Sequence, residues 1–193
     1  IEVIKANMDA RCDTTPEAEA QREALNAAIA FKKYEFDAHG VEMNQRYRSS
    51  AAVTDGQIEP DFTLDADLHY QPTTWPGARI PHAWLFDAEG DKHSTLDLAG
   101  GGAFTLFTGL GGKAWADAAK EVGEKLGITL RAHVIGPRQE YIDHTGDWAR
   151  AREIGDSGCI ITRPDQHVCW RSDALAADPS AELSRVLTAV LSR

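Results

Sequence analysis

From His82 onward, strand-length apolar runs and helix-length amphipathic stretches follow one another in a fixed order: strand, short helix, strand, helix, strand, helix, hairpin, helix. Residues 83–86 read as a short strand that turns at Glu89-Gly90, and residues 103–108, rich in Phe, Thr and Leu, as a second. Over Lys113–Leu126 the spacing sets Trp115, Ala118, Ala119, Val122 and Leu126 on one helical face, with Gly127 as its stop. Alternation of Ile128, Leu130, Ala132 and Val134 predicts a third strand, and residues 148–154 a short helix. Residues 159–163 and 167–171 form a hairpin around Pro164-Asp165-Gln166. Asp178 then caps a last helix begun by Pro179, whose Leu183, Val186, Leu187, Val190 and Leu191 recur at i, i+3, i+4, i+7 and i+8.

That order is the one found in thioredoxin-like α/β domains. Their chemistry needs a Cys-x-x-Cys at the start of the helix after the relevant strand, where the helix N-terminus stabilises a thiolate. Here the turn reads Gly109-Leu110-Gly111-Gly112-Lys113-Ala114-Trp115 and carries no thiol. The fold class expected is therefore a redox-inactive thioredoxin-like domain, preceded by a mainly helical extension.

The extension occupies residues 1–75 and the compact domain residues 76–193. Thr15 caps and Pro16 begins a helix that directs Leu25, Ala28, Ile29 and Phe36 toward a core and ends at Gly40. Residues 47–53 suit a short strand, closed by the turn pair Asp55-Gly56, and an irregular acidic stretch runs on to Asp67. Pro72, Pro76, Gly77 and Pro81 mark a connection between the two parts.

A formal net charge of −10 over 193 residues argues against nucleic acid as a partner, since phosphate neutralisation needs Lys and Arg. No apolar run is long enough for a membrane span, and no signal peptide opens the chain. Three cysteines, Cys12, Cys159 and Cys169, form no short-spaced pair and fit a reducing cytoplasm. A hairpin turn centred on Asp165 sets Cys169 opposite Ile161, diagonal to Cys159, too far for an unstrained disulfide.

No cluster of residues assembles a catalytic, cofactor or metal site. Gly112-Lys113 is followed by Ala114 rather than Ser or Thr, and Phe107 stands where a phosphate-binding loop needs its first glycine. Neither Gly100-Gly101-Gly102 nor the 109–112 run contains Gly-x-Gly-x-x-Gly, so both read as tight turns. The seven histidines lack zinc-ligand spacing, and His82 draws notice only for its place beside Pro81, Arg79 and Trp84. Asp65, Asp67, Asp87, Glu89 and Asp91 sit in turn-like contexts, and no serine lies in a Gly-x-Ser-x-Gly elbow. With no pair of attacking and resolving thiols, a thiol–disulfide enzyme is the least favoured of the three readings.

Three longer runs point to a family: residues 34–47 (YEFDAHGVEMNQRY), residues 70–85 (YQPTT, then PGARIPHAWL) and residues 163–168 (RPDQHV). Together they resemble the region after the flavin-binding core in FAD-dependent phenol hydroxylases, the chlorophenol hydroxylase class above all. The resemblance implies an enzyme that binds FAD, takes hydride from NADPH and uses O2 to hydroxylate a phenol beside its hydroxyl group. It implies a C-terminal domain that is thioredoxin-like, lacks the redox cysteines and serves packing and subunit assembly, with an upstream flavin-binding domain and a homo-oligomer as partners. Gln166 replaces the glycine that the family's hairpin turn would carry, and Cys169 stands where a smaller residue is usual. The flavin fingerprint of the family has no counterpart here, so no catalytic residue and no ligand to FAD or NADPH is carried over. The chain by itself is then expected to be inert. The competing expectation is a stand-alone interaction module with exposed Trp75 and Trp84 as its binding face.

Overall fold

The computed structural model describes residues 1–192, leaving Arg193 outside. Three helices open the chain: α1 (Glu2–Asn7), continued by a 3-10 turn over Met8–Cys12, then α2 (Pro16–Phe36) and α3 (His39–Met43). The Thr15 hydroxyl accepts from the Ala18 N–H at 3.2 Å and Pro16 takes the first helical position, as the sequence predicts for α2. The other end differs. The helix stops at Phe36, and Gly40 lies inside α3, where a Cβ would stand 1.9 Å from the Ala66 carbonyl oxygen. Gly40 is thus a close-approach glycine and not a helix cap. Leu25 is buried as expected, whereas Ile29 and Phe36 are exposed.

Residues 47–53 form no strand. Arg46 makes one isolated bridge to Ala78, the Tyr47 N–H bonds to the Gly77 carbonyl and the Val53 N–H to the Cys169 carbonyl, and between them residues 49–52 turn on an Ala52 N–H to Ser49 carbonyl bond. Asp55-Gly56 is the turn predicted, with φ of 50° and 75°. The Pro-rich connector packs as an extra lane on the sheet edge, through Gly77 N–H to Val168 O, Val168 N–H to Ala78 O and Ile80 N–H to Gln166 O at 2.7–2.9 Å. Trp75 is accordingly 4% exposed and belongs to no open binding face.

The remaining elements are β1 (Trp84–Phe86), β2 (Lys92–Ser94), α4 (Thr95–Leu98), β3 (Phe104–Thr108), α5 (Lys113–Leu126), β4 (Leu130–Val134), α6 (Asp147–Ala151), β5 (Cys159–Thr162), β6 (Val168–Ser172) and α7 (Pro179–Val190). β1 and β2 pair as a small antiparallel sheet. The main sheet runs β4-β3-β5-β6, with β3 and β4 parallel and the other two pairings antiparallel. The short helix near Trp148 ends sooner than predicted, at Ala151, and Glu153 follows in the left-handed region at φ 54°.

Two apolar cores flank this mixed sheet, because side chains on a strand alternate between faces. Leu106, Cys159 and Ile161 join Trp115, Ala119 and Val122 of α5 and Leu183, Val186 and Leu187 of α7 on one side. Phe107, Ile160 and Val168 join Ile80, Leu85 and Trp148 on the other. A bulge in β6 breaks the expected register: Trp170, not Cys169, pairs with Ile161, and Val168 pairs with Thr162. Cys169 is the extra residue, so it and Trp170 both face α5 and α7.

Cys159 and Cys169 are buried free thiols, and Cys12 is exposed. Burial pushes both buried thiols up, Cys169 to about 12. We expect a thiol reagent to modify one cysteine rapidly in the native protein and three after unfolding. Three fast thiols in native buffer would contradict the buried placement.

Candidate functional site

The loop between β3 and α5 is where a thioredoxin-like frame would place its chemistry. Residues 110–112 form a 3-10 turn that feeds directly into α5. Every glycine there is pressed by the 156–158 segment or by β3. A Cβ on Gly109 would lie 2.3 Å from Asp156 Oδ1, and one on Gly112 would lie 1.9 Å from Thr108 Oγ1. The Thr108 hydroxyl in turn donates to the Gly158 carbonyl at 2.7 Å, and the Trp115 indole N–H donates to the Ser157 carbonyl at 3.1 Å. Asp156 Oδ2 accepts from the Gly111 N–H at 2.8 Å. An internal carboxylate therefore sits at the positive end of α5, the place a thiolate or a phosphate would take. Neither glycine cluster fits a dinucleotide: this one is filled by Asp156, and Gly100, Gly101 and Gly102 form a turn with φ of 85°, 62° and 81°.

His82 bonds to the side chain that caps α4. Its Nδ1 lies 2.7 Å from Ser94 Oγ, the side chain that caps α4 by accepting from the Leu96 N–H. Its ring meets Trp84 edge-on at 4.6 Å, and Lys92 stands over the same indole at 5.6 Å. Trp84 is 40% exposed, so of the two tryptophans expected at a binding face only this one reaches solvent.

The structure assembles one polar node that the sequence did not suggest. Glu153 Oε2 accepts from the Thr73 hydroxyl, the Thr74 N–H and hydroxyl, and Arg171, at 2.8–3.1 Å. Arg171 also lies over the Trp75 ring at 5.6 Å. Its members are far apart in the chain, so no local motif announces it. Burial works to raise the Glu153 carboxyl, but the Thr74 N–H, the Thr73 hydroxyl and Arg171 outweigh it and hold the group below its ordinary value. A lowered native pKa means that Glu153 contributes stability above the ordinary carboxylate range, lost as pH falls through its native value. Glu153→Gln should therefore flatten the acid limb of a pH–stability profile below about pH 4.5. An unchanged acid limb would show that the node carries no linkage.

Gln166 adopts φ 69° at the hairpin turn, a conformation that favours glycine. It is held there by its own amide, which accepts from Arg79 at 2.5 Å and donates to the Leu96 carbonyl at 2.8 Å. Gln166→Ala keeps the strain and loses both bonds, and should cost about 1–2 kcal/mol in a urea melt. Gln166→Gly, which relieves the strain, should cost less. A glycine variant weaker than the alanine one would contradict this account.

Tyr141 is a second convergence missed from sequence. It packs between His93 and His133 at 5.3 Å from each, and these pair with Asp87 at 2.8 Å and Glu140 at 2.9 Å. Among the described residues, no group of three or more His, Cys, Asp or Glu side chains could hold a metal ion. No described helix is long and apolar enough to cross a membrane.

Two open concavities lie around the second half of α2. One cleft of about 330 Å³ is lined by Ala30, Lys33, Tyr34, Asp37, His39 and His69. Another of about 540 Å³ lies between α1 and α2, lined by Ile1, Val3, Ala28, Phe31 and Tyr34. Eleven of the fourteen exposed large apolar side chains among the described residues precede residue 65, so apolar exposure is a property of this end.

Relatives place this architecture. The chain is 51% identical over 178 residues to phenol 2-monooxygenase of Pseudomonas sp. EST1001, covering 92% of the chain and 29% of that protein. It is 49% identical over 192 residues to 2,4-dichlorophenol 6-monooxygenase of Cupriavidus pinatubonensis, covering 98% of the chain and 32% of that protein. The crystal structure of the flavin-dependent monooxygenase PieE in complex with FAD and substrate superposes with a TM-score of 0.79 at 43% identity, over 96% of this chain and 31% of that one. The chain thus spans about a third of the length of the relatives it matches. Residues 73–193 match the family described as aromatic-ring hydroxylase, C-terminal, and with half of its residues shared with phenol hydroxylases along most of its length, the chain belongs to that family.

Proposed function

We propose that this chain is the C-terminal structural and assembly portion of a flavoprotein aromatic monooxygenase that ortho-hydroxylates phenols or chlorophenols to catechols with NADPH and O2. The observation that carries the reading is identity near one half to two phenol-hydroxylating enzymes over nearly the whole chain, which yet spans only 29–32% of each. FAD and NADPH would be held by the upstream part of that enzyme. By itself the chain is read as inert, because it carries no Gly-x-Gly-x-x-Gly flavin fingerprint and none of the family's catalytic residues is carried over to it. The reading is of a cytoplasmic homo-oligomer with the upstream flavin-binding domain as its first partner.

We read residues 76–193 as a redox-inactive thioredoxin-like domain and residues 1–75 as the end of the flavin-monooxygenase core. The strand order β4-β3-β5-β6, with one parallel and two antiparallel pairings, supports the first part. The exposed apolar side chains before residue 65 support the second. The test is NADPH oxidation in the presence of FAD and 2,4-dichlorophenol or phenol. The chain alone should give none, and the polypeptide that includes the upstream part should give phenol-dependent turnover. Turnover by the chain alone would refute inertness, and a longer polypeptide silent on every phenol would refute the hydroxylase reading.

A further inference from the structure

Helices α1 and α2, with the 3-10 turn between them, carry a small apolar interior of their own. Ala10, Ala18 and Leu25 are buried, yet none of them belongs to either core that flanks the main sheet. They are covered because α1, the turn and α2 pack chiefly on one another. The polar ties of this part are internal too, as where Arg22 donates to the Ala10 and Asp13 carbonyls. Among the described residues, one hydrogen bond and no ion pair joins residues 1–36 to residues 38–192. In it the exposed Tyr34 hydroxyl donates to Asp67 Oδ2 at 3.1 Å. The covalent joint is equally narrow. Asp37 and Ala38 separate α2 from α3, and both leave the helical region, at φ/ψ of −98°/47° and −91°/43°. Beyond the joint the chain is fastened again: the Val41 N–H donates to the Asp67 carbonyl at 3.2 Å, and Asn44 Nδ2 to the Ala66 and His69 carbonyls at 2.8 Å. The cleft of about 330 Å³ lies at this joint, with Ala30, Lys33 and Tyr34 on one wall and His39, Leu68 and His69 on the other.

We propose that residues 1–36 form a hinged arm that turns as a rigid body about Asp37–Ala38. The Tyr34–Asp67 hydrogen bond is its latch, and the cleft is the gap that widens and closes. Hinges are a few residues at the ends of elements, set between bodies that keep their shape. The arm keeps its shape because its buried side chains are covered from within. It turns readily because a single exposed hydrogen bond, and no shared apolar core, must give way. The latch rests on a conformational equilibrium of this chain and is independent of the reaction given under Proposed function.

The chain supplies one of the two probes needed. Cys12 lies on the arm and is exposed, while Cys159 and Cys169 are buried. A nitroxide there and a second on Lys120→Cys, exposed on α5, report arm against body by pulsed electron resonance. Labelled chain is diluted in unlabelled chain, so that each distance lies within one molecule. A second pair, Cys12 with Asn26→Cys, lies wholly within the arm. The arm–body pair should show a main distance and a minor, longer one. Tyr34→Phe should raise the minor population about two- to tenfold, the range set by one hydrogen bond. Asp67→Ala should do the same, and the two together no more than either alone, because they remove one bond. The pair within the arm should keep one narrow distance throughout. A single unchanged arm–body distance in the wild type and in every variant would overturn the hinge. Broadening of the within-arm distance alongside the other would overturn it too, because the arm would then be melting and not turning. Additive effects of Tyr34→Phe and Asp67→Ala would sink the latch.

Discussion

Cysteines placed at Gly109 and Gly112, which restore Cys-x-x-Cys spacing at the start of α5, are expected to give a badly destabilised protein with no disulfide-reductase activity. The spacing is correct and the helix terminus is present, so sequence alone would call the change conservative. Geometry forbids it. A Cβ at 109 would meet Asp156 Oδ1 at 2.3 Å and the Asp156 carbonyl oxygen at 2.5 Å, and one at 112 would meet Thr108 Oγ1 at 1.9 Å. Relief at 112 requires Thr108 to abandon its bond to the Gly158 carbonyl in a fully packed strand. Overpacking of this kind costs about 1–3 kcal/mol per site and more where backbone must move, against a total stability on the order of 5–15 kcal/mol. Urea denaturation and insulin reduction read the two halves. A double variant that melts within about 1 kcal/mol of wild type would show that the 156–158 segment yields, and that its packing does not enforce the glycines.

Removal of α7 should abolish cooperative unfolding altogether. Leu183, Val186 and Leu187 are fully buried and Val190 nearly so, all in the core that α7 shares with α5. At about 2 kcal/mol for each buried aliphatic side chain, the four contribute on the order of 8 kcal/mol, which is comparable to the stability of an entire domain. Leu187→Ala alone should cost about 2–5 kcal/mol. The Asp178 carboxylate, which accepts from the Ala181 N–H at 2.9 Å, is worth about 1 kcal/mol by the same scale of reasoning. A chain ending near residue 176 that still melts in one transition would contradict this assignment, and would move the weight of the core to α5.

Helices with caps and a single apolar stripe were readable in the sequence: Lys113–Leu126 is found as predicted, with Gly127 left-handed at φ 65°, and the last helix begins at Pro179. Strands β3, β5 and β6 were readable for a similar reason, since most of their side chains are β-branched or aromatic. What sequence did not show depends on close approach or on distant partners. Lys92–Ser94 pairs with β1 although its residues carry no apolar alternation. Gly40 resembled a helix stop because glycine serves both cap and close contact, and only the Ala66 carbonyl distinguishes them. That the Pro-rich connector lies along the sheet edge was not readable, because proline marks both links and edge lanes on sheets. At the candidate sites the missing thiol was plain, whereas Asp156 and Glu153 were invisible: their partners lie 45 and about 80 residues away.

One carboxylate ties together three distant parts of the chain. Asp55 Oδ2 accepts from the Trp170 indole N–H and from Arg185 at 2.9 Å, across separations of 115 and 130 residues. During synthesis, then, the turn at Asp55 emerges well over a hundred residues before either partner exists. At roughly 5–20 residues per second it waits on the order of ten seconds for Arg185. Over that interval the segment is tethered at neither end of this contact, and a nascent chain is most open to proteolysis and to wrong pairing there. The turn cannot seed folding. Its partners are complete only when α7 has been made, and pulse-labelled stalled chains should reach full protease resistance near residue 55 once α7 has cleared the ribosome.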